Sequence, residues 1–282
     1  MQECQNNFFK YIKAVGTGPK GNHDLSRDEA EDMMQQILDG SVSSELITAF
    51  LLGWRLKPET SDEFLGALLA IDKKSQTTPI QNSIELGYPF DGKAKTPYLL
   101  PQISKILQES DLHLVLLGDA PQPAKGGLTI QELFKEHDFA QNTHYFDRSD
   151  YCPALHKLTQ LRMSLGLRTA FNTLEKLPNI SQSDFAITGV HHKPYVKKYQ
   201  DIFASRYRRF AVIQGSEGTP ELLKKGMLWL CEDGKTTEYR IDPLAFDIEK
   251  DDVERLAKLN GAILLFVADK FSSIEEAFLS LS

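Results

Sequence analysis

The sequence has few cysteines and no long apolar run, and each shortage excludes a class of protein. Its three cysteines, Cys4, Cys152 and Cys231, are not paired in spacing and lack the pattern of a zinc site. No run approaches the roughly 18 apolar residues that a membrane-spanning helix needs. The first residues lack the basic and then apolar order of a signal peptide. We therefore expect a protein of the reducing cytoplasm with no membrane partner.

The chain also lacks an excess of positive charge. Its 32 Lys and Arg residues against 39 Asp and Glu residues give a formal net charge of −7. That balance argues against indiscriminate polyanion binding, although it leaves room for a local basic groove. The hydrophobic content of 41% and charged content of 25% are typical of globular proteins. A length of 282 residues suits one large domain or two smaller ones.

Amphipathic helices are predicted in the N-terminal quarter of the chain. A short apolar helix is expected at residues 8–15. Capping-box patterns begin two further helices at Ser26 and Thr60, and another helix follows Ser43. The polar segment 75–83 is predicted to link this helical unit to the rest of the chain.

After this linker the pattern changes to short apolar strands that alternate with helices. The predicted strands are Ile84–Tyr88, Leu112–Leu117, Phe185–Val190, Phe210–Gln214, Met227–Cys231 and Thr236–Ile241. Asp233-Gly234 between the last two predicts a hairpin and therefore an antiparallel edge. Helices are predicted to start at Thr96 and to cover residues 249–259, 260–269 and 273–281. We predict an α/β fold: a helical N-terminal domain at residues 1–78 and a larger domain at residues 79–282 with a mostly parallel central sheet.

The stretch Arg162–Asn172 reads R-M-S-L-G-L-R-T-A-F-N and joins a Leu- and Met-rich helix to a polar turn. A continuous helix would place Arg162 and Arg168 on different faces. Gly166 lets the backbone bend, so that both cations could approach one anionic ligand. The alternative is a surface helix with ordinary salt-bridged arginines.

This stretch resembles the R-x-x-L-G-x-R-T-x-F-N signature of anthranilate phosphoribosyltransferase and of the wider glycosyltransferase family 3. The N-terminal order of L-S-x-x-E-A, I-L-x-G, A-F-L and E-F-L-G resembles the helical domain of that family. The resemblance runs from Tyr11 to Leu279, with a shortened region between Ile248 and Asn260. It implies a fold like that of nucleoside phosphorylases and phosphoribosyltransferases, and a homodimer formed through the N-terminal helices. It also implies that Arg162 contacts an aromatic substrate.

The segment that corresponds to the family's first phosphate loop departs from the family pattern. The family has G-T-G-G-D followed by N-x-S-T, whereas residues 87–97 here read G-Y-P-F-D-G-K-A-K-T-P. Pro89 contributes no N–H donor. A phosphate could still be bound by side-chain charge, with candidate residues Asp91, Gly92, Lys93, Lys95 and Thr96. The alternative is an ordinary polar loop between a strand and a helix.

The other family loops are also degenerate. Where the family has K-H-G-N, this chain keeps only Gly118. Residues 123–129 lack the family's serines, and Lys125 beside two glycines is the remaining candidate for an anion. Adjacent Asp and Glu residues hold magnesium in the family, but here Pro220 precedes Glu221. Glu221 alone is a weak metal candidate, because a hard dication needs several oxygen ligands.

Basic residues with interleaved tyrosines follow the third predicted strand. The candidate nucleic-acid residues are Lys193, Lys197, Lys198, Arg206, Arg208 and Arg209. A groove at the former active site could be lined by Lys93, Lys95, Lys125, Arg162 and Arg168. Cations beside aromatic rings suit a phosphodiester backbone and stacked bases. The alternative is a solvated helix face.

Two functions from different classes follow. The first is a family member without standard anthranilate phosphoribosyltransferase activity, whose basic groove binds single- or double-stranded nucleic acid. The chain resembles a divergent branch of the family that lacks the usual phosphoribosyl-diphosphate motifs and binds nucleic acid. The second is an active transferase on an aromatic or nucleobase-like acceptor, as in tryptophan biosynthesis. It would use Arg162 on the acceptor, Lys93 and Lys95 on phosphate, and Mg²⁺ at Glu221. The degenerate motifs assign no catalytic residue, and Mg²⁺ is the only cofactor expected, under the second function alone.

Overall fold

A computed structural model describes residues 2–122, 125–249 and 252–281. Within them the helices are α1 (Gln2–Gly16), α2 (Arg27–Leu38), α3 (Ser44–Leu56), α4 (Ser61–Lys74), α5 (Leu100–Ile106), α6 (Ile130–Glu136), α7 (Arg148–Tyr151), α8 (Pro153–His156), α9 (Thr159–Leu165), α10 (Phe171–Leu174), α11 (Pro194–Phe203), α12 (Val253–Val267) and α13 (Ile274–Ser280). The strands are β1 (Ser83–Gly87), β2 (His113–Gly118), β3 (Thr143–Asp147), β4 (Phe185–Gly189), β5 (Arg209–Ile213), β6 (Gly226–Glu232) and β7 (Lys235–Ile241). None of the described helices is both long enough and apolar enough to cross a membrane.

The chain forms two compact units. The first consists chiefly of the residues up to Gln76 and the segment Arg148–Pro178, and it contains only helices. The second begins at Thr77, excludes that segment and contains the sheet. The main segment of the first unit ends at Gln76, and the predicted domain boundary is at residue 78. The sequence did not indicate that Arg148–Pro178 belongs with the N-terminal helices.

The helical unit is organised around aromatic packing between α1, α3 and α4. Trp54 is fully buried, and its ring centroid lies 5.3 Å from that of Phe50 and 5.9 Å from that of Phe64. Both predicted capping boxes are present, at Ser26 and at Thr60. Such reciprocal bonds satisfy N–H groups that a helix start leaves unpaired. The three predicted helices after residue 25 are therefore confirmed.

The second unit contains a seven-stranded sheet in the order β3-β2-β1-β4-β5-β6-β7. The strands β1 to β5 are parallel, and β6 and β7 add the antiparallel edge that Asp233-Gly234 predicted. The chain runs outward from β1 to β3 and then returns to β4 on the other side of β1. In such sheets ligands bind beyond the carboxyl ends of the strands where the winding reverses. That place is the carboxyl edge at β1 and β4.

Several predicted boundaries were wrong. The helix expected at Thr96 begins at Leu100, since the Thr96 N–H is bonded outside the helix, to Glu217. The helices expected at 249–259 and 260–269 are one helix, α12, because the buried Asn260 side chain is accommodated within it. The start of the first lies partly outside the described residues. Strand β3 was not predicted, since its side chains are mostly half-buried and carry no apolar run.

Candidate functional site

Five parallel strands end at the carboxyl edge of the sheet, and three of the loops that follow them carry most of the candidate residues. These three loops follow β1, β4 and β5, and these strands are neighbours in the sheet. The loops after β1 and β5 meet through side chains, and the segment around Gly127 joins them. This part of the second unit contains most of the predicted phosphate residues.

A buried ion pair joins the loops after β1 and β5. Lys93 Nζ lies 2.5 Å from Glu221 Oε2, and both side chains are inaccessible to solvent. Glu221 Oε1 accepts hydrogen bonds from the Tyr88 hydroxyl at 3.1 Å and from the N–H groups of Leu99 and Leu100 at 3.0 Å. Burial and the nearby Glu221 raise the pKa of the Tyr88 hydroxyl, so it stays a donor. The charges of Lys93 and Glu221 are thus neutralised within the protein.

This arrangement does not fit a magnesium ion. Both oxygens of Glu221 already accept from a lysine, a tyrosine and two backbone N–H groups. Pro220 offers no second carboxylate. Magnesium demands several oxygen ligands in octahedral geometry. Glu221 therefore forms an ion pair with Lys93 in this structure and is not arranged to bind a metal ion.

A second carboxylate, that of Glu217, is held by the loop after β1. Its oxygens accept from the backbone N–H groups of Ala94, Lys95 and Thr96 and from the Thr96 hydroxyl, each at 2.9 Å. Partial burial acts to raise the pKa of Glu217, but these hydrogen bonds outweigh it and lower the pKa to about 2. The group is therefore an anion at every physiological pH.

The segment that carries Lys125 packs closely on the loop after β1. Lys125 Nζ donates to the carbonyl oxygens of Glu217 at 2.5 Å and of Gly92 at 3.2 Å, and lies 3.9 Å from an Asp91 oxygen. A Cβ at Gly92, where φ is +74°, would lie 2.5 Å from the Gly127 carbonyl oxygen. Only glycine permits that approach. Lys125 thus organises the two loops.

The remaining predicted residue of this edge is Gly118, which ends β2. A Cβ at this position would lie 2.6 Å from the ring of Tyr145. Tyr145 in turn donates to Asp147 at 2.8 Å. Gly118 is thus needed for packing against an aromatic side chain.

Arg162 lies in the helical unit, in a buried cluster. Its guanidinium donates to both oxygens of Glu175, at 2.6 and 3.1 Å, and Arg148 donates to the same carboxylate at 2.5 Å. Burial acts to raise the pKa of Glu175, but Arg162 and Arg148 hold it below its usual value. The fully buried Arg162 is not a surface residue, so that alternative is wrong for it.

The bend predicted at Gly166 is confirmed, since this residue caps α9 with φ of +67°. It does not bring Arg168 to the anion of Arg162. Arg168 is exposed, and its carbonyl oxygen accepts from Arg55. Asn172 accepts the Thr169 N–H at 3.0 Å and so closes the turn before α10. The second arginine of the cluster is Arg148, which the sequence pattern did not indicate.

The six predicted nucleic-acid residues are spread along α11 and beyond both of its ends. Helix α11 carries the chain from the carboxyl edge back to the start of β5, about 16 Å away for a five-residue strand. Lys193 lies before this helix, whereas Arg206, Arg208 and Arg209 follow it at the opposite edge. Arg208 and Arg209 donate to Asp269 at 2.9 and 2.6 Å.

A cleft of about 670 Å³ lies between α11 and the β6–β7 hairpin. It brings together two predicted residues, Lys197 and Arg208, but acidic residues also line it: Asp201, Glu232 and Asp233. Lys197 is paired with Asp201. The charges of the cleft are therefore mixed, which does not favour a polyanion.

The start of α11 is different. Residues 191–198 read H-H-K-P-Y-V-K-K and contain no acidic residue. Tyr195 is 47% exposed, and Lys198 Nζ lies 5.8 Å from the centre of its ring. Among the described residues, neither the exposed Lys193 nor the exposed Lys95 has an ion-pair partner. Since β1 and β4 are adjacent, the loops carrying Lys95 and Lys193 leave the sheet side by side.

Sequence reasoning missed Glu217, Tyr88 and Glu175. Glu217 stands between Gly215 and Gly218, a pattern that indicates a tight turn. Tyr88 closes the predicted first strand, but nothing local shows that its hydroxyl meets Glu221. Of these three residues, only Glu217 lies in a sequence pattern that could have indicated its place in a turn.

The fold and its carboxyl-edge loops define a class of protein: a helical-bundle unit with an α/β unit of mostly parallel strands. The helical bundle domain of a glycosyl transferase family matches residues 9–75, and the a/b domain of that family matches residues 131–276. The chain belongs to this glycosyl transferase family, which confirms the predicted family.

Known proteins of similar sequence and structure support membership in this family. An uncharacterized protein of Aquifex aeolicus is 34% identical over 232 residues, which are 80% of this chain and 74% of the relative. An anthranilate phosphoribosyltransferase of Clostridium beijerinckii is 25% identical over 265 residues, covering 86% and 78% of the two chains. The crystal structure of anthranilate phosphoribosyltransferase from Thermus thermophilus has a TM-score of 0.74 at 16% identity and covers 96% of this chain and 92% of that one. That structural likeness confirms the predicted fold.

Proposed function

We propose that this family member does not perform standard phosphoribosyl transfer to anthranilate and instead binds nucleic acid. The proposed contact surface consists of residues 191–198 together with Lys95, and we call it the basic edge. The observation that carries the proposal is the acid-free, exposed stretch of cations and tyrosine at the start of α11.

The loss of standard transfer is supported by how the chain uses its own charges. A transferase of this kind needs a lysine, N–H groups and metal-binding carboxylates to grip a diphosphate. Here Lys93 and Glu221 neutralise each other. The N–H groups of residues 94–96 are already bonded to Glu217. A diphosphate would have to displace both internal carboxylates.

Nucleic-acid binding is supported by the local electrostatics of α11. Its first turn contains no acid, and no side chain caps its N–H groups. The positive end of the helix dipole therefore adds to the charge of Lys193. Tyr195 offers an exposed ring on which a base can stack. The basic edge thus combines the two contacts that single strands use.

The binding test is fluorescence anisotropy of a labelled single-stranded oligonucleotide. We expect the double variant Lys193→Glu with Lys198→Glu to abolish binding, and Tyr195→Ala to weaken it. Binding should weaken steeply as salt is added. In a plot of the logarithm of the binding constant against the logarithm of the salt concentration, each phosphate contact removed should reduce the slope by about 0.7. A matched control, Lys105→Glu with Lys135→Glu, changes exposed lysines on α5 and α6 and should leave affinity nearly unchanged.

Equal binding by the double lysine variant and the wild type would contradict the proposal. So would phosphoribosyl diphosphate raising the melting temperature only with magnesium, together with turnover of anthranilate. That second result would favour the active transferase.

A further inference from the structure

The amino edge of the sheet, opposite the carboxyl edge, carries a pair of histidines that the proposed function does not use. His113 begins β2, and His144 is the second residue of β3. We infer that these two imidazoles form a binding site for one divalent transition-metal ion of the zinc, nickel and copper group. The site lies apart from the basic edge, whose loops leave the sheet at its carboxyl edge.

The strand register places both rings on one face of the sheet. Strands β2 and β3 are parallel, and Val115 lies opposite His144. Because side chains alternate along a strand, His113, two residues before Val115, lies on the same face as His144. His113 Nδ1 is 2.8 Å from His144 Nε2, and the ring planes differ by 39°. Two ring nitrogens from separate strands therefore face each other.

The distance between these nitrogens is close to the one that a shared metal ion requires. Zinc binds imidazole nitrogen at about 2.0–2.1 Å in tetrahedral geometry, which places two such nitrogens about 3.3 Å apart. The rings therefore need to separate by only about 0.5 Å to admit the ion. Without the ion, one ring donates a hydrogen bond to the other, and this bond keeps the pair together.

The protonation state of the pair also suits a metal. Burial lowers the pKa of His144, and the nearby His113 lowers it further. Neutral imidazole is the form that binds a metal ion. Within the described part of the chain, neither ring has another hydrogen-bond or ion-pair partner. When a metal enters, the proton of the donor ring can therefore move to the outer nitrogen of the same ring, and no proton is released.

The position of the pair gives an ion access to it. Both rings are half-buried, and β3 is the outermost strand of the sheet. Water can supply the remaining ligands of the ion. Imidazole suits zinc, nickel and copper, whereas magnesium prefers oxygen ligands. The bound ion would link β3 to β2 and would stabilise the folded protein by mass action.

The experiment is calorimetric titration of the chain, free of any affinity tag, with zinc chloride, together with its melting temperature. We expect the wild type to bind Zn²⁺ saturably and to melt at a higher temperature with Zn²⁺ than without it. His113→Ala and His144→Ala should each weaken Zn²⁺ binding at least about tenfold and remove the rise in melting temperature. Magnesium chloride should leave the melting temperature of all three proteins unchanged.

Other histidines supply matched controls. His137→Ala changes an exposed histidine at the end of α6. The double variant His191→Ala with His192→Ala removes an exposed pair whose ring centroids lie 4.7 Å apart. Both controls should bind Zn²⁺ like the wild type. Loss of Zn²⁺ binding in either control, with binding retained in His113→Ala and His144→Ala, would overturn the inference.

Electron paramagnetic resonance of the Cu²⁺-loaded protein identifies the ligands directly. We expect coupling to two imidazole nitrogens in the wild type and loss of that signal in His144→Gln, which keeps a polar side chain on β3. A wild type without saturable Zn²⁺ binding would overturn the inference. So would a His144→Gln protein that is folded by circular dichroism and binds Zn²⁺ as tightly as the wild type.

This inference does not rest on the proposed function. The double lysine variant, Lys193→Glu with Lys198→Glu, should bind Zn²⁺ like the wild type, because neither lysine contacts the histidine pair. His144→Ala should in turn leave oligonucleotide binding unchanged. The two proposals can therefore fail separately.

Discussion

Lys93 and Glu221 illustrate how a single buried pair decides what a site can do. Each side chain is fully buried, so each charge depends on the other for its solvation. The same residues could hold phosphate and metal only if they were separated. Their pairing holds the loop after β5 against the loop after β1.

We expect Glu221→Gln to lower the free energy of unfolding by about 3–5 kcal/mol, because Lys93 is left charged and buried. The measurement is urea unfolding followed by circular dichroism. The double variant Lys93→Met with Glu221→Gln should recover part of the loss. Asp62→Asn, which breaks the exposed pair with Arg27, should cost less than about 1 kcal/mol. Equal losses in both single variants would contradict the assignment.

Glu85 is a buried carboxyl group in the centre of the sheet. Burial raises its pKa to about 7, although the Asn179 N–H at 3.0 Å, the Ser181 hydroxyl at 3.2 Å and nearby Arg206 act in the opposite direction. The folded state therefore binds a proton more tightly than the unfolded chain, where the pKa is 4.5. The stability from this protonated group is complete below pH 4.5 and is lost as the pH rises through about 7.

We expect Glu85→Gln to remove this pH dependence. The wild type should lose up to about 1.4 kcal/mol per pH unit relative to the variant within that window. Urea unfolding of both proteins at a series of pH values between 4.5 and 8 measures the difference. A variant that loses stability in parallel with the wild type would show that other groups are responsible.

Helix α12 contains a polar residue, Asn260, that is buried in the core. Asn260 is buried, and its amide accepts the Leu222 N–H at 2.7 Å while donating to the carbonyl oxygens of Leu222 and Leu256. Asn usually favours helix ends, which is why the sequence pattern indicated a break here. The contact ties α12 to the loop that carries Glu221.

We expect Asn260→Leu to cost about 1–3 kcal/mol, because the Leu222 N–H is left buried without a partner. Glu254→Ala, on the exposed start of the same helix, should stay within about 0.5 kcal/mol of the wild type. Chemical unfolding of both variants compares them. Equal stabilities would mean that the Leu222 loop adjusts to the loss.

Elements with a strong local pattern were predicted well, and elements set by their neighbours were not. The capping boxes at Ser26 and Thr60 lie within a few residues of the bonds they predict. Strand β3, in contrast, has only five residues and mixed burial, so its strand state depends on pairing with β2. Helix α11 begins at Pro194 after an exposed basic turn, a pattern that was interpreted for charge instead of structure.

At the scale of the whole molecule, we propose a homodimer formed through the N-terminal helices. Exposed apolar side chains in the helical unit are consistent with a partner, among them Phe9 at 41% and Leu56 at 80%. We expect light scattering to give twice the mass of one chain. Phe9→Ser with Leu56→Ser should shift the protein to monomer, whereas Leu279→Ser, an exposed leucine of the other unit, should not. A monomeric wild type at high concentration would contradict the proposal.

The sequence by itself determined the N-terminal helices, six of the seven strands and the family, because these follow from short-range periodicity and contiguous motifs. It also located the loops in which phosphate chemistry should lie. Only the tertiary structure decided which charged side chains pair with each other and with backbone N–H groups. Lys93 lies 128 positions from Glu221, and Ala94 lies 123 positions from Glu217. No periodicity in the sequence identifies the partner of a charged side chain. Whether that side chain is available to a ligand therefore depends on the tertiary structure.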